Sequence, residues 1–191
     1  MHKKIPKFFV FLDQYDSGIF ENKNTNIGII YRNYNAKNRI NELIKISKAC
    51  KANRKQLFVS NDIKLTIKVK AEGVYIPSFN KKKKFSNLEK KNIKILGSAH
   101  NAQEIKVKIS QNCSAIFLSP IFKIQKNKHF LGLHKFNYLS YVFNNKVLAL
   151  GGISEKNIHK LKLLNIDGFG GIRFFQKKTG PGRWQCKKIR V

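Results

Sequence analysis

The sequence contains few cysteines and no long apolar run. Cys50, Cys113 and Cys186 are widely spaced, odd in number and without a CxxC pair, which argues against a disulfide framework or a zinc site and for reduced intracellular thiols. The first apolar run, 8–12, ends at Asp13 and is too short for the core of a signal peptide or for a membrane span. We therefore expect a cytoplasmic protein without a membrane partner.

Acidic residues are also scarce. Ten Asp and Glu residues stand against 39 Lys and Arg residues, and the formal net charge is +29. Such a charge attracts anionic substrates and nucleic acid. The lysines are nevertheless spread over the whole chain, and no helix-turn-helix, zinc-finger or RNA-binding aromatic signature accompanies them. We interpret the charge as a general basic surface without a specific nucleic-acid partner, and we predict a domain at 1–176 followed by a basic tail at 177–191.

Short apolar segments alternate with segments of helical periodicity along the chain. Strands are predicted at 7–12, 27–32, 57–60, 73–76, 93–97, 115–119, 146–150 and 167–171. Helices are predicted at 37–52, 62–70, 85–91, 101–111, 136–143 and 155–164. This alternation indicates a parallel α/β architecture, and we predict a single (β/α)8 TIM barrel. Such barrels typically contain about 250 residues, so the polar segment 13–26 is expected to hold a shortened first helix; an open doubly wound sheet is the alternative.

Two apolar segments near the C-terminal end finish in paired glycines. Gly151 and Gly152 end the first segment, and Gly170 and Gly171 end the second. Glycine lets backbone N–H groups approach an anion closely, and a helix that begins just after such a turn favours phosphate. Ser154 stands where the N-cap of that helix is expected. In a (β/α)8 barrel the turns after the seventh and eighth strands often bind phosphate, and tight packing is the alternative for these glycines.

Polar residues follow several of the predicted strands. Arg32, Asn61, Asp62, Ser98 and His100 all stand at strand ends, where a barrel carries its chemistry. The guanidinium of Arg32 suits phosphate, or else a structural ion pair. The carboxylate of Asp62 suits a hard cation such as Mg2+, or else the N-cap of a helix. His100 suits general acid–base catalysis, or else a structural hydrogen bond.

In chain order, these signatures resemble those of thiamine phosphate synthases and of the related thiazole tautomerases. The resemblance rests on Arg32, Asn61-Asp62, Gly-Val-Tyr-Ile at 73–76, Ser98-Ala99-His100, Ser-Pro-Ile-Phe at 119–122, Gly132-Leu133, Gly151-Gly152-Ile153 and Asp167-Gly168. It implies a (β/α)8 barrel and a transferase of thiamine biosynthesis. In that family a hydroxymethylpyrimidine pyrophosphate loses pyrophosphate with the help of Mg2+, and the nitrogen of a thiazole phosphate captures the resulting cation.

The resemblance also implies roles for individual residues. Those expected to act in catalysis are Arg32, Ser98 and His100. Those expected to bind pyrophosphate are Arg32, Asn61 and Ser98, and those expected to bind Mg2+ are Asp62 and Asn80. Those expected to bind the thiazole phosphate are Gly151, Gly152, Gly171, Ile172 and Arg173. The implied partners are therefore two phosphorylated small molecules.

Several residues depart from the family pattern. Ile30 and Tyr34 replace a glutamine and a lysine on either side of Arg32, Asn80 replaces a carboxylate, and 123–127 replace a substrate-binding threonine-lysine loop. These changes all affect the pyrophosphate end of the site. They keep two alternatives open, a tautomerase-like isomerase that needs no pyrophosphate and a non-catalytic protein that binds a phosphorylated ligand or nucleic acid.

Overall fold

Eight parallel strands form the centre of the computed structural model, which describes residues 4–21, 26–34, 36, 38–85, 88, 92–125, 129–171 and 173–175. The strands are β1 (Phe8–Leu12), β2 (Ile27–Tyr31), β3 (Gln56–Ser60), β4 (Gly73–Ile76), β5 (Lys94–Ala99), β6 (Ala115–Leu118), β7 (Lys146–Leu150) and β8 (Gly168–Gly171). Each strand pairs with the next, and β8 returns to β1 with Phe8 opposite Phe169. The predicted (β/α)8 barrel is confirmed.

The barrel interior is filled by aromatic side chains. The ring of Phe117 makes edge-on contacts with the rings of Phe9, Phe11 and Tyr75, with centroids 5.1, 5.4 and 5.9 Å away. Space for these large groups requires small residues on neighbouring strands. A Cβ atom added at Gly28 would lie only 2.5 Å from the ring of Phe9. The interior is therefore a packed core, and chemistry is restricted to its rim.

Helices cover the outside of the barrel. They are α1 (Ser17–Phe20), α2 (Arg39–Ala52), α3 (Ile63–Lys68), α4 (Ala102–Ser110) and α5 (Gly132–Ser140), with 3-10 helices at Ile158–Leu163 and Arg173–Phe175. The first helix has four residues, as the polar segment after β1 predicted. None of the described helices is long and apolar enough to cross a membrane.

Two helix predictions are wrong in detail. The helix expected at 136–143 begins at Gly132, whose N–H donates to the carbonyl of Ile121. The helix expected at 155–164 is a 3-10 helix at Ile158–Leu163, and Asn157 rather than Ser154 precedes it. The reason is a local turn, in which the carbonyl of Ser154 accepts the N–H groups of Asn157 and Ile158.

Some predictions fall on parts of the chain without a description. The predicted tail at 177–191, most of the helix predicted at 85–91, and Cys186 lie outside the described residues.

Cys50 and Cys113 are both buried and unpaired. Burial raises the pKa of each thiol to about 12, so both are neutral at physiological pH, as expected of reduced structural thiols.

Candidate functional site

The polar residues predicted from the sequence lie at one end of the barrel. Asn61 directly follows β3, Ser98 lies near the end of β5, and His100 directly follows β5. Arg32 directly follows β2, and its N–H donates to the carbonyl of Leu12 at the end of β1. Parallel strands end on the same face, and this is the face where (β/α)8 barrels place their chemistry. The structure therefore brings these side chains to a common rim.

Asp62 has two partners that hold its carboxylate. One oxygen accepts the N–H of Leu65 at 2.9 Å, so Asp62 is the N-cap of α3. The other oxygen lies 3.1 Å from Nη1 of Arg39, the first residue of α2. Nη2 of Arg39 also donates to the carbonyl of Ser60 at 2.8 Å. The carboxylate expected to bind a cation thus already faces a guanidinium.

Arg39 was missed by the sequence analysis, although one signal was present. A cation in the first turn of a helix opposes the helix dipole, so it usually needs an anion from another element. The Cζ atom of Arg39 lies 5.8 Å from the ring centroids of both Tyr31 and Tyr34. Tyr34, which replaces the family's lysine, bonds the hydroxyl of Ser60 at 2.6 Å. These contacts fix the guanidinium beside Asp62.

Asn80 lies next to Asn61, and both the nitrogen and the oxygen of its side-chain amide already form hydrogen bonds. Its Nδ2 donates to Oδ1 of Asn61, and its Oδ1 accepts the N–H of Lys82 at 2.9 Å. The backbone of Asn80 is also held, because its carbonyl accepts from Nζ of Lys108 and from Nε2 of Gln111, each at 3.0 Å. The loop after β4 is therefore anchored by the side chains of Lys108 in α4 and of Gln111, which directly follows α4.

These donors do not fit a divalent cation as they are arranged. Mg2+ prefers carboxylate and water oxygens in a near-octahedral shell. Both oxygens of Asp62 are engaged, one by a cation, and the amide oxygen of Asn80 accepts from Lys82. No group of three His, Cys, Asp or Glu side chains suited to a metal occurs among the described residues. The assignment of Asp62 and Asn80 to Mg2+ stays a prediction.

Arg32 forms the ion pair that was its alternative role. Its guanidinium lies 3.3 Å from Asp13 at the end of β1, and 5.8 Å from the ring centroid of Phe11. The two side chains of the pair are 36% and 58% exposed. An ion pair exposed to this degree contributes little to stability. Arg32 therefore remains accessible to an anion at the rim.

The imidazole of His100 is held at both nitrogens. Nδ1 lies 2.6 Å from the carbonyl oxygen of Ser119, and Nε2 lies 3.1 Å from the hydroxyl of Ser78. A carbonyl oxygen can only accept, so Nδ1 carries a proton, and in the neutral tautomer Nε2 is then the acceptor that faces the hydroxyl of Ser78. Ser78 is not among the site residues predicted from the sequence. The ring is thus held by structural bonds, and in the tautomer with the proton on Nδ1 its Nε2 can also accept a proton.

Ser98 lies deeper in the site. Its side chain is buried and bonds the hydroxyl of Tyr75. Burial raises the pKa of Tyr75 to about 12, against the opposing effect of the bond from Ser98. Tyr75 is therefore neutral under physiological conditions and offers a hydroxyl group, not a negative charge, at the floor of the site.

The paired glycines after β7 serve close packing. Gly151 and Gly152 have φ values of +92° and +72°. A Cβ atom would lie 2.7 Å from Cβ of Pro120 at the first position and 2.6 Å from the carbonyl oxygen of Phe122 at the second. The following helix is a six-residue 3-10 helix, which does not provide the expected helix N-terminus. The turn itself remains a candidate for phosphate binding through its backbone.

The second glycine pair is also tightly packed. A Cβ atom at Gly171 would lie 2.9 Å from Cβ of Phe174, and one at Gly170 would lie 3.0 Å from the ring of Phe117. Ile172 lies outside the described residues, as does the side chain of Arg173. The roles expected of these two residues in phosphate binding therefore stay predictions.

Comparison with known proteins identifies relatives of this barrel. The family model described as thiamine monophosphate synthase matches residues 24–174. The chain is 31% identical over 142 residues to a thiamine-phosphate synthase of Prochlorococcus marinus subsp. pastoris, covering 69% of this chain and 38% of that protein. It is 29% identical over 122 residues to a thiamine-phosphate synthase of Clostridium tetani, covering 61% of this chain and 57% of that protein.

A solved structure shares the fold. The thiamine phosphate pyrophosphorylase from Pyrococcus furiosus superposes with a TM-score of 0.73 over 88% of this chain and 85% of that chain, at 16% identity. The chain spans less than two thirds of the length of the curated relatives it matches. The family model nevertheless covers most of the barrel and the strand-end residues described above. The chain therefore belongs to the thiamine monophosphate synthase family.

Proposed function

We propose that this protein couples a hydroxymethylpyrimidine pyrophosphate to a thiazole phosphate and releases pyrophosphate, as a thiamine phosphate synthase. One observation carries the proposal. In a barrel of this family, Arg32, Asn61 and Ser98 stand at the carboxyl ends of β2, β3 and β5 on one face, and the additional cation Arg39 is bonded to Asp62, the residue after Asn61. A rim with two guanidinium groups and neutral hydrogen-bond donors suits a pyrophosphate.

The reaction requires little covalent help from the protein. The bond between the pyrimidine methylene carbon and the pyrophosphate oxygen breaks, and its electron pair leaves with pyrophosphate. The lone pair of the thiazole nitrogen then forms the new C–N bond, and no proton needs to move. Catalysis therefore depends on donors that stabilise the departing negative charge. Arg32 supplies charge at the rim, and we assign Asn61 and Ser98 to orient the pyrophosphate.

The thiazole phosphate belongs at the opposite side of the rim in this proposal. The turn at Gly151 and Gly152 packs against the loop after β6, where the N–H of Phe122 donates to the carbonyl of Gly151 at 3.1 Å. Backbone N–H groups of the glycine turns and of 171–173 would hold the phosphate.

Magnesium enters the proposal only through the family resemblance. Asp62 and Asn80 are the residues to which the resemblance assigns it, and their present contacts do not leave them free to bind a cation. Mg2+ remains a prediction for this chain.

A product assay tests the proposed function. The purified protein is incubated with both substrates, and thiamine phosphate is quantified by chromatography. We expect Arg32→Met to lower kcat/KM by about 10- to 100-fold, because one charged donor to the leaving group is lost. Arg54→Met is the matched control, since Arg54 lies at the other end of the barrel between α2 and β3. Absence of product from folded protein under all conditions would refute the proposal.

A second function is favoured by the fixed imidazole of His100. An isomerase that tautomerises a thiazole carboxylate phosphate needs a proton acceptor, and Nε2 of His100 is held in that state by Nδ1 bonding to Ser119. We expect His100→Ala to abolish tautomerisation if this reaction occurs here. Unchanged tautomerisation in the His100→Ala variant would exclude His100 as the proton acceptor, and a folded wild type that does not tautomerise this substrate would refute the second candidate.

A further inference from the structure

We propose that Arg39 takes the place of a divalent cation at Asp62, so that pyrophosphate binds and leaves without a metal. The inference rests on the proposed function, because it concerns the same leaving group. It starts from a disagreement between the family and this chain. The carboxylate assigned to the metal is bonded to a guanidinium at 3.1 Å, and the second carboxylate of the family is replaced by Asn80.

The side chains at the expected metal position bond other groups of the protein. Asp62 uses one oxygen to cap α3 and the other to hold Arg39. Asn80 uses its amide oxygen to accept from Lys82 and its amide nitrogen to donate to Asn61. A hard cation would have to displace a guanidinium and rotate an amide to obtain two ligands. The existing arrangement instead places a permanent positive charge at this position.

Arg39 is pre-organised for an anion. Its side chain is only 18% exposed, and its two terminal nitrogens are each anchored, to Asp62 and to the carbonyl of Ser60. The rings of Tyr31 and Tyr34 flank the guanidinium. A guanidinium has five N–H groups, so the two anchoring bonds leave others for a ligand. A cation held in place in this way stabilises developing charge without reorganising during the reaction.

Further positive charge stands close to this site. Residues 81–84 are four consecutive exposed lysines that directly follow Asn80. Arg32 stands on the neighbouring strand end, after β2. Arg39 alone supplies one charge where a magnesium ion supplies two, and its partner Asp62 cancels part of it. The lysine run and Arg32 supply the remainder of the positive potential that a pyrophosphate requires.

The chemical step balances without a metal. The carbon–oxygen bond to pyrophosphate breaks, and the electron pair stays on the pyrophosphate oxygen. N–H groups of Arg39 and Arg32 donate to the oxygens that gain charge. The thiazole nitrogen supplies the electron pair of the new bond, and no proton is transferred.

Binding of inorganic pyrophosphate tests the inference separately from activity. Isothermal titration calorimetry is done in excess EDTA and again with Mg2+. We expect the wild type to bind pyrophosphate with similar affinity in EDTA and in Mg2+. We expect Arg39→Met to bind it at least 10-fold more weakly than the wild type does, and the control Arg54→Met to bind it as tightly as the wild type. Arg39→Lys keeps the charge and serves as a second variant if Arg39→Met does not fold. Binding that occurs only with Mg2+ would overturn the inference, as would unchanged binding by a folded Arg39→Met.

Product formation separates this inference from the proposed function. We expect thiamine phosphate to form in EDTA, and we expect the double variant Arg39→Ala/Asn80→Asp to form it only when Mg2+ is added, because that variant frees one carboxylate and restores another. Product from the wild type only with Mg2+ would overturn the inference and leave the proposed function intact. A folded wild type that makes no product in any condition, yet binds pyrophosphate in EDTA, would overturn the proposed function alone.

Discussion

Lys108 carries a buried ammonium group whose charge state can be tested by its effect on stability. The side chain has no exposed surface. Its Nζ donates to the carbonyls of Pro77 at 2.8 Å and Asn80 at 3.0 Å, and to Oε1 of Gln111 at 3.0 Å. Burial lowers the pKa of Lys108 from 10.5 to about 8. This lysine fixes the loop after β4, which carries Asn80 into the candidate site.

The substitution Lys108→Met has two opposing effects on the free energy of unfolding. The carbonyls of Asn80 and Pro77 keep their bonds from Gln111 and from the N–H of Asn80, but Oε1 of Gln111 loses its donor from Lys108. Each buried acceptor without a donor costs roughly 1–3 kcal/mol. Methionine also removes the cost of burying a charge, which the lowering of the pKa from 10.5 to about 8 sets at about 3 kcal/mol. Near pH 7 the two effects oppose each other, so we expect a net change of no more than about 2 kcal/mol.

The pH dependence of stability shows whether the buried Lys108 releases its proton near pH 8 in the folded protein. Between pH 8 and 10.5 the unfolded wild type keeps a proton on Lys108 that the folded protein has released, so the stability of the wild type rises with pH in this window. The contribution is complete above the unfolded pKa and is lost as the pH falls through about 8. From pH 7.5 to 9.5 we expect the wild type to gain about 2 kcal/mol relative to Lys108→Met.

Urea unfolding followed by circular dichroism measures this difference. The wild type and the Lys108→Met variant are compared at pH 7.5 and 9.5, so the titration of other lysines cancels. Lys106→Met is the control, because Lys106 is an exposed residue of the same helix. A difference between wild type and Lys108→Met that stays constant over this range would show that the three acceptors keep Lys108 charged, and would refute the reasoning.

Three further substitutions have expected outcomes. Gly151→Ala puts a Cβ atom 2.7 Å from Cβ of Pro120, at a residue whose φ is +92°. We therefore expect a lower midpoint of thermal unfolding and weaker binding of thiazole phosphate, measured by calorimetry. An unchanged midpoint would contradict the close packing of Gly151 against Pro120. Asp167→Ala removes the carboxylate that accepts the N–H of Val147 at 3.0 Å, and urea unfolding should show a loss of roughly 1–3 kcal/mol, whereas no loss would mean that water replaces the bond. Tyr31→Phe removes a buried hydroxyl that has no partner among the described residues, so we expect equal or higher stability by about 1 kcal/mol, and a marked loss would reveal a partner.

The strands were predictable because their signal is local. Parallel strands of a barrel are buried on both faces and therefore appear as continuous apolar runs, as at Phe8–Leu12 and Ala115–Leu118, where every residue is buried. Their polar ends were also predictable as a group, since parallel strands all end on the same face. The helices were less predictable from the sequence. The segment after β7 forms a 3-10 helix because the carbonyl of Ser154 accepts bonds in a tight turn.

The candidate site was only half predictable. The sequence identified Asp62 as a cation ligand or an N-cap, and the structure confirms the N-cap. Nothing in the local pattern indicates that Arg39, 23 residues earlier, bonds the same carboxylate. The anchoring of the loop after β4 by Lys108 was likewise invisible, because a lysine is expected at the surface.

The sequence alone therefore determined the order of the strands along the chain, the (β/α)8 class and several of the polar residues at its rim. These properties follow from the apolar periodicity of short segments, which each segment carries by itself. Only the tertiary structure decided which side chains meet across the rim. The pairing of Arg39 with Asp62 joins the start of α2 to the start of α3, and such a contact depends on how two helices pack on the barrel. That contact places a guanidinium where the family resemblance alone implies a magnesium ion.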